Sequence, residues 1–207
     1  MDFECRGSME KQYGGHHRMI IACDIDGVLN DLFPTVLALY NSRTHKNIQL
    51  SDISVYNLSE CLPPEDAEGI HALFETKELW DSLKPLPGSQ QGLETLIKKG
   101  HRVYLATSTH YKNFAWKIEW IQRYFPFISS HNVIRIMDKS LLNCDVMIDD
   151  HLDNLAGNFC ERIVFDAPWN RSKSKEFAYD MHRAHNWKDV INIINKLERK
   201  CKEWEKK

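Results

Sequence analysis

With 207 residues, 27 basic and 29 acidic side chains and a formal net charge of −2, the chain has room for one domain with a substantial core plus a small insert, and excludes two large independent domains. The two signs of charge are mixed along the chain, which argues against a nucleic-acid polymer or a membrane surface as partner and favours a small-molecule ligand; a homodimer is left open. No apolar run is long enough to span a bilayer and the amino terminus lacks the hydrophobic region of a signal peptide, so a soluble, cytoplasmic protein is expected.

Cys5, Cys23, Cys61, Cys144, Cys160 and Cys201 are scattered, with no C-x-x-C pair or zinc-ligand spacing, and read as reduced, structural thiols. Residues 1–17 show no periodicity and are expected to be a disordered leader. The first periodic stretch, Met19-Ile20-Ile21-Ala22-Cys23, reads as a buried strand running into Asp24-Ile25-Asp26-Gly27. A helix follows from Asp31 to Tyr40, with Pro34 in its first turn.

Residues 41–84 are polar and turn-rich, with one amphipathic helical stripe from Glu65 to Thr76. The expected organisation is a core built from 18–30 and 85–207, with a small helical cap at 31–84 inserted after the first strand. Lys84-Pro85-Leu86-Pro87-Gly88 is a stiff return to that core. A helix is predicted over Ser89–Lys99 with Gly100 as its stop, a strand over Val103–Ala106, a helix over Asn113–Tyr124, and strands over Asn132–Ile136, Asp145–Ile148 and Arg162–Phe165. A closing helix over Trp187–Trp204 carries apolar residues at spacings of 3, 4 and 7. Strands alternating with helices imply an α/β fold, a doubly wound, Rossmann-like parallel sheet.

Four polar clusters stand at or just after strands: Asp24/Asp26, Thr107/Ser108, Lys139 and Asp149/Asp150. In a parallel sheet those ends share one edge, so residues more than a hundred positions apart meet in one crevice. Carboxylates crowded together repel unless a cation lies among them, and oxygen ligation with retained waters is what Mg²⁺ prefers. A lysine and hydroxyls beside that ion suit a phosphate group, and an aspartate can serve as the nucleophile in phosphoryl transfer. Adjacent side chains on an extended backbone point apart, so Asp149 and Asp150 are not expected to ligate such an ion equally.

The order D-x-D-G-V, hydrophobic-Thr/Ser, Lys, D-D resembles the haloacid dehalogenase superfamily of Mg²⁺ phosphohydrolases. Seven local strings, Asp-Gly-Val-Leu-Asn-Asp, Phe74-Glu75-Thr76-Lys77-Glu78-Leu79-Trp80, Pro85-Leu86-Pro87-Gly88, Ala106-Thr107-Ser108, Lys117-Ile118-Glu119-Trp120 with Tyr124-Phe125, Asp138-Lys139 and Ile148-Asp149-Asp150, are similar to the 5′(3′)-deoxyribonucleotidase family over residues 19 to 195. The resemblance implies that Asp24 attacks phosphorus. Asp26 would protonate the leaving oxygen, then activate water, with its backbone carbonyl on Mg²⁺. Thr107 and Ser108 would hold phosphate oxygens, Lys139 would neutralise the phosphate and the nucleophile, and of the adjacent pair Asp150 is taken as the metal ligand with Asp149 as its close support.

In that family the cap closes over the base with aromatic side chains, and Tyr56, Phe74 and Trp80 fall at or near such positions, with Leu32 or Phe33 beneath. Met137 and His151 stand where animal members carry arginine. The implied activity is that of a Mg²⁺-dependent, 5′(3′)-deoxyribonucleotidase-like phosphatase hydrolysing nucleoside monophosphates through an aspartyl-phosphate. The alternatives are a phosphatase of another small phosphate ester with the same chemistry, and an inactive nucleotide-binding sensor.

Overall fold

The computed structural model describes residues 18–156, 161–171 and 181–204, the last four by backbone alone. In it the opening apolar run forms β1 (Ile20–Cys23) at the interior of a six-stranded sheet. The others are β2 (Arg102–Thr107), β3 (Val133–Arg135), β4 (Val146–Asp149), β5 (Glu161–Phe165) and β6 (His182–Ala184). Every pairing is parallel, in the order β3-β2-β1-β4-β5-β6. The chain fills one side of β1 and then crosses to the other. Its order therefore reverses between β1 and β4, where open α/β sheets bind ligands.

Both faces of β1 are covered, which is why its sequence is continuously apolar rather than alternating. Ile21 and Cys23 pack into the larger core with Leu105, Ile148 and Ile163, whereas Ala22 faces a smaller cluster with Met147, Leu152, Leu155 and Val164. Helices fill the larger face. α1 (Leu32–Thr44), α2 (Pro64–Phe74) and α3 (Lys77–Ser82) lie in the insert, and α4 (Ser89–Lys98), α5 (Tyr111–Tyr124) and α6 (Trp187–Trp204) follow. On the smaller face a short 3₁₀ turn, Leu152–Leu155, contributes two of the packed leucines.

Insert and sheet share one hydrophobic interior: Phe33, Val36, Ile70, Leu79 and Trp80 belong to the same cluster as Ile21 and Leu105. The two chain crossings that join them are zipped together. The Asp31 N–H donates to the Lys84 carbonyl at 3.1 Å and the Leu86 N–H to the Leu29 carbonyl at 2.7 Å, on either side of an antiparallel bridge between Asn30 and Pro85.

The five strands read from sequence lie within one residue of their expected bounds. α1 continues to Thr44 and stops where His45 turns left-handed at φ 57°. Gly100, at φ 90°, follows α4 as expected. Two elements had no sequence signal. α3 has six residues, too few to show a period, and β6 (His-Arg-Ala) carries no apolar alternation because it is an edge strand. Residues 1–17, with Cys5, and Cys160 lie outside the described residues, as does the side chain of Cys201. Cys23 and Cys61 form no disulfide. Among the described residues no helix is long and apolar enough to cross a membrane.

Candidate active site

Register brings the acids together. Cys23 pairs with Leu105 on one side and Ile148 on the other, so one residue on, Asp24 lies level with Ala106 and Asp149. The Asp24 N–H continues the ladder to the Ile148 carbonyl at 2.9 Å. Carboxylate oxygens of Asp24, Asp149 and Asp150, all buried, lie within 4.8 Å of one another.

Lys139 enters this group from the 3₁₀ turn that follows β3 and is itself almost fully buried. Its Nζ donates to Asp24 Oδ1 at 2.5 Å and to Asp149 Oδ2 at 2.6 Å. Asp149 is further held by the His151 N–H at 2.8 Å and by Asn154 Nδ2 at 3.1 Å from each of its oxygens. The Asp150 carboxylate accepts no hydrogen bond from any described residue, and it packs against Gly27. A Cβ at Gly27, where φ is 72°, would come within 2.4 Å of Asp150 Oδ2. Glycine is required there both for the turn and for that approach.

Burial pushes the Asp24 carboxyl up to about 7, against the pull of Lys139 and with the charge of Asp149 adding to the rise. Asp150 is driven well above the usual carboxylate range, first by burial and then by the charges of Asp149 and Asp24. Burial opposes the charge on Lys139, but Asp24 and Asp149 outweigh it and hold the ammonium above its usual value. With all three carboxylates ionised, one ammonium would leave two negative charges unmatched, the crowding that, after burial, raises Asp24 and Asp150. An all-oxygen set with one carboxylate wholly unengaged fits a hard divalent cation.

Asp26 is aimed separately. Its Oδ1 accepts from Asn30 Nδ2 at 2.9 Å, and its Oδ2 is ion-paired with Lys117 Nζ. The same ammonium donates to Thr107 Oγ1 at 2.6 Å and sits 5.2 Å from the centroid of the Trp80 ring. Thr107 keeps its hydroxyl proton to donate. Ser108, exposed at the rim, donates its hydroxyl to the Ile136 carbonyl at 2.9 Å.

The sequence reading assigned no role to Lys117. Its signal was a lysine on the same face of α5 as Asn113, Trp120 and Ile121, all buried. Asn30 stood within the Asp-Gly-Val-Leu-Asn-Asp string without a role of its own, and Asn154 and Asn170 had no sequence signal, since a single asparagine in a loop has many uses.

The aromatic residues of the insert do not form one group. Trp80 is buried, its indole N–H donating to the Phe74 carbonyl at 2.9 Å, and it forms the wall beneath Lys117. Phe33 meets Tyr56 and Phe74 edge-on, with centroids 6.3 and 6.4 Å away, and lies 4.4 Å from Trp169. Tyr56 is half-exposed and meets His151 in a tilted ring contact, with centroids 4.1 Å apart. Leu32 is buried at the start of α1. Tyr56, His151, Trp169 and Asn170 line a crevice reached by the loops after β4 and β5.

Comparison with known proteins agrees with this geometry. The family model described as 5′ nucleotidase, deoxy (pyrimidine), cytosolic type C matches residues 18–201. A 5′(3′)-deoxyribonucleotidase of Bacillus subtilis is 30% identical over 175 residues, covering 84% of this chain and 96% of the relative. One from Clostridium acetobutylicum is 29% identical over 180 residues, 86% and 95%. Among solved structures, a haloacid dehalogenase-like hydrolase from Streptococcus pneumoniae superposes with a TM-score of 0.61 at 12% identity, covering 86% of this chain and 98% of its own. A related hydrolase from Deinococcus radiodurans, solved with bound phosphate and sodium, gives 0.58 at 11%, covering 86% and 95%. These likenesses carry the fold. The match over most of the chain carries more: the protein is a hydrolase of the 5′(3′)-deoxyribonucleotidase family.

Proposed function

We propose that the chain hydrolyses nucleoside monophosphates, deoxynucleoside monophosphates above all, through an aspartyl-phosphate on Asp24 with Mg²⁺ as cofactor. The observation that carries this reading is the cluster of Asp24, Asp149 and Asp150 around Lys139, with the Asp150 carboxylate unengaged. Asp24 and Asp150, with the backbone carbonyl of Asp26, would hold the ion, and Asp149 would support it by fixing Lys139. The ion's contribution is to offset the charge of the phosphate oxygens and of the crowded carboxylates.

The Asp24 oxygen not engaged by Lys139 attacks phosphorus. The ester P–O bond breaks, and the departing oxygen takes the proton of the Asp26 carboxyl group. Water then transfers a proton to the Asp26 carboxylate as its oxygen attacks the phosphorus of the aspartyl-phosphate. The bond to Asp24 breaks, orthophosphate leaves, and both side chains are restored. Lys117 and Asn30 aim Asp26, while Thr107 and Ser108 receive phosphate oxygens.

Residues 31–84 act as the cap over the substrate, with Tyr56, Phe74, Trp80 and Leu32 on the side of the base. The family's cytosolic designation supports a cytoplasmic location. Phosphate release from deoxynucleotides, ribonucleotides and sugar phosphates, with Mg²⁺ or a chelator, tests the reading. Expected are Mg²⁺ dependence, preference for a deoxynucleotide and an inactive Asp24→Asn variant. Release that persists with chelator, or full activity in Asp24→Asn, would sink the mechanism. A preference for sugar phosphates would move the substrate.

A further inference from the structure

Asp150 has the least local support of the clustered acids, because no described side chain donates to its carboxylate. Its backbone is fixed from a distance. The Asp150 carbonyl accepts a hydrogen bond from Asn170 Nδ2 at 2.9 Å, across 20 residues of chain. The same Nδ2 donates to the Phe165 carbonyl at 2.8 Å, tying the end of β5 to the same point.

Asn170 is buried on a 3₁₀ turn, Pro168–Asn170, and its amide is fully used. Its Oδ1 accepts from the Ala167 N–H at 3.2 Å and from Arg183 Nη1 at 2.7 Å. Arg183, on β6, also donates to the Asn170 carbonyl at 3.2 Å and to Asp166 Oδ1 at 2.6 Å. Only an oxygen can face a guanidinium, so Arg183 fixes which way the Asn170 amide points. The NH₂ group is thereby turned onto Asp150. On the opposite side Gly27 leaves just enough room for the carboxylate.

We infer that Asn170, oriented by Arg183, is a positioning residue that holds Asp150 ready for the divalent cation, so that the edge strand β6 helps to build the metal site. The inference rests on the magnesium reading above. Groups that orient a metal ligand change metal affinity about 10- to 100-fold when removed.

The test is calorimetric titration of Mg²⁺ into the metal-free full chain, with the Mg²⁺-induced rise in unfolding temperature as second readout. Asn170→Ala is expected to weaken Mg²⁺ binding by about 10- to 100-fold. Val190→Ala, a buried change in α6 outside the hydrogen bonds that join Asn170 to Asp150, is expected to lower the unfolding temperature and leave the affinity at the wild-type value. Equal affinities for Asn170→Ala and wild type overturn the inference, as does a parallel loss in Val190→Ala. If Asn170→Ala does not fold, Arg183→Lys carries the same test. It keeps the charge without the planar fork that spans Asp166 and Asn170, and unchanged affinity there overturns the inference too. A wild-type protein that takes up no Mg²⁺ defeats the metal reading itself, which separates the two failures.

Discussion

Withdrawing the Lys117 ammonium from water costs several kcal/mol unless its partners make up the loss, and here a carboxylate, a hydroxyl and an aromatic face do so together. Its position, joined at once to Asp26 and Thr107, would fix the proposed acid relative to the proposed phosphate site. Lys117→Met should therefore lower turnover of a nucleoside monophosphate by about 10²-fold. The loss should be much smaller with p-nitrophenyl phosphate, whose leaving group needs no proton; equal losses on both substrates would refute the aiming role. Asp24 makes a different demand. Its folded value of about 7 lies above the 3.8 of an ordinary aspartate, so between those values the native state binds the extra proton. The linkage sign is then negative: in metal-free protein this group's contribution to stability falls as pH rises from 3.8 to about 7. Asp24→Asn should unfold at a higher temperature than wild type in chelator, with the gap opening across that window and constant above it. Calorimetry in a pH series checks this, and a gap that does not vary with pH would contradict it. The motif residues Asp24, Asp26, Lys139 and Asp150 were legible in sequence because each follows an apolar run. Lys117 was not, since its function depends on which strand ends lie across from one face of α5.

α6 shows how an element at the end of the chain supports the site at its start. Trp187, at its first turn, is fully buried and donates its indole N–H to the Val28 carbonyl at 2.8 Å, in the loop that follows Asp24 and Asp26. Its ring lies directly on Gly92 of α4, where a Cβ would fall 2.3 Å from the ring carbon Cε3. Gly92→Ala should destabilise the protein by about 1–3 kcal/mol through overpacking, read by denaturant titration. Alanine is the better helix former, so a stabilised variant would show that the Trp187 contact yields. The amphipathic spacing of α6 was visible in sequence, whereas its docking partner was not. A glycine inside a helix signals close approach without saying of what. α3 and β6 were missed for the opposite reason: one is too short to show a period, and the other is polar because it closes an edge.

At the scale of the whole molecule the site is a point of electrostatic tension, with three buried carboxylates, two of them bound by one lysine, where the strand order reverses. A ligand that relieves this tension in the native state alone stabilises the fold by mass action, by about 2.7 kcal/mol at a hundred times its dissociation constant. For a chain of this length that corresponds to roughly 5–10 °C in unfolding temperature. Saturating Mg²⁺ should produce a rise of that order in wild type and none in Asp150→Asn; an equal rise in both would place the ion elsewhere. The sequence by itself determined the class of fold, five of the six described strands, the order of the acidic and basic motifs and the edge of the sheet on which they stand. Those follow from local periodicity and from the geometry of parallel strands. Only the tertiary structure decided that Asp149 is saturated by Lys139, Asn154 and a backbone N–H while the Asp150 carboxylate stays unengaged, that Lys117 joins Asp26 to Thr107, and that Asn170, bonded by Arg183, reaches back from beyond β5 to the Asp150 carbonyl. Each of these is a contact between residues far apart in the chain, set by register and packing, and such contacts leave no period in the sequence.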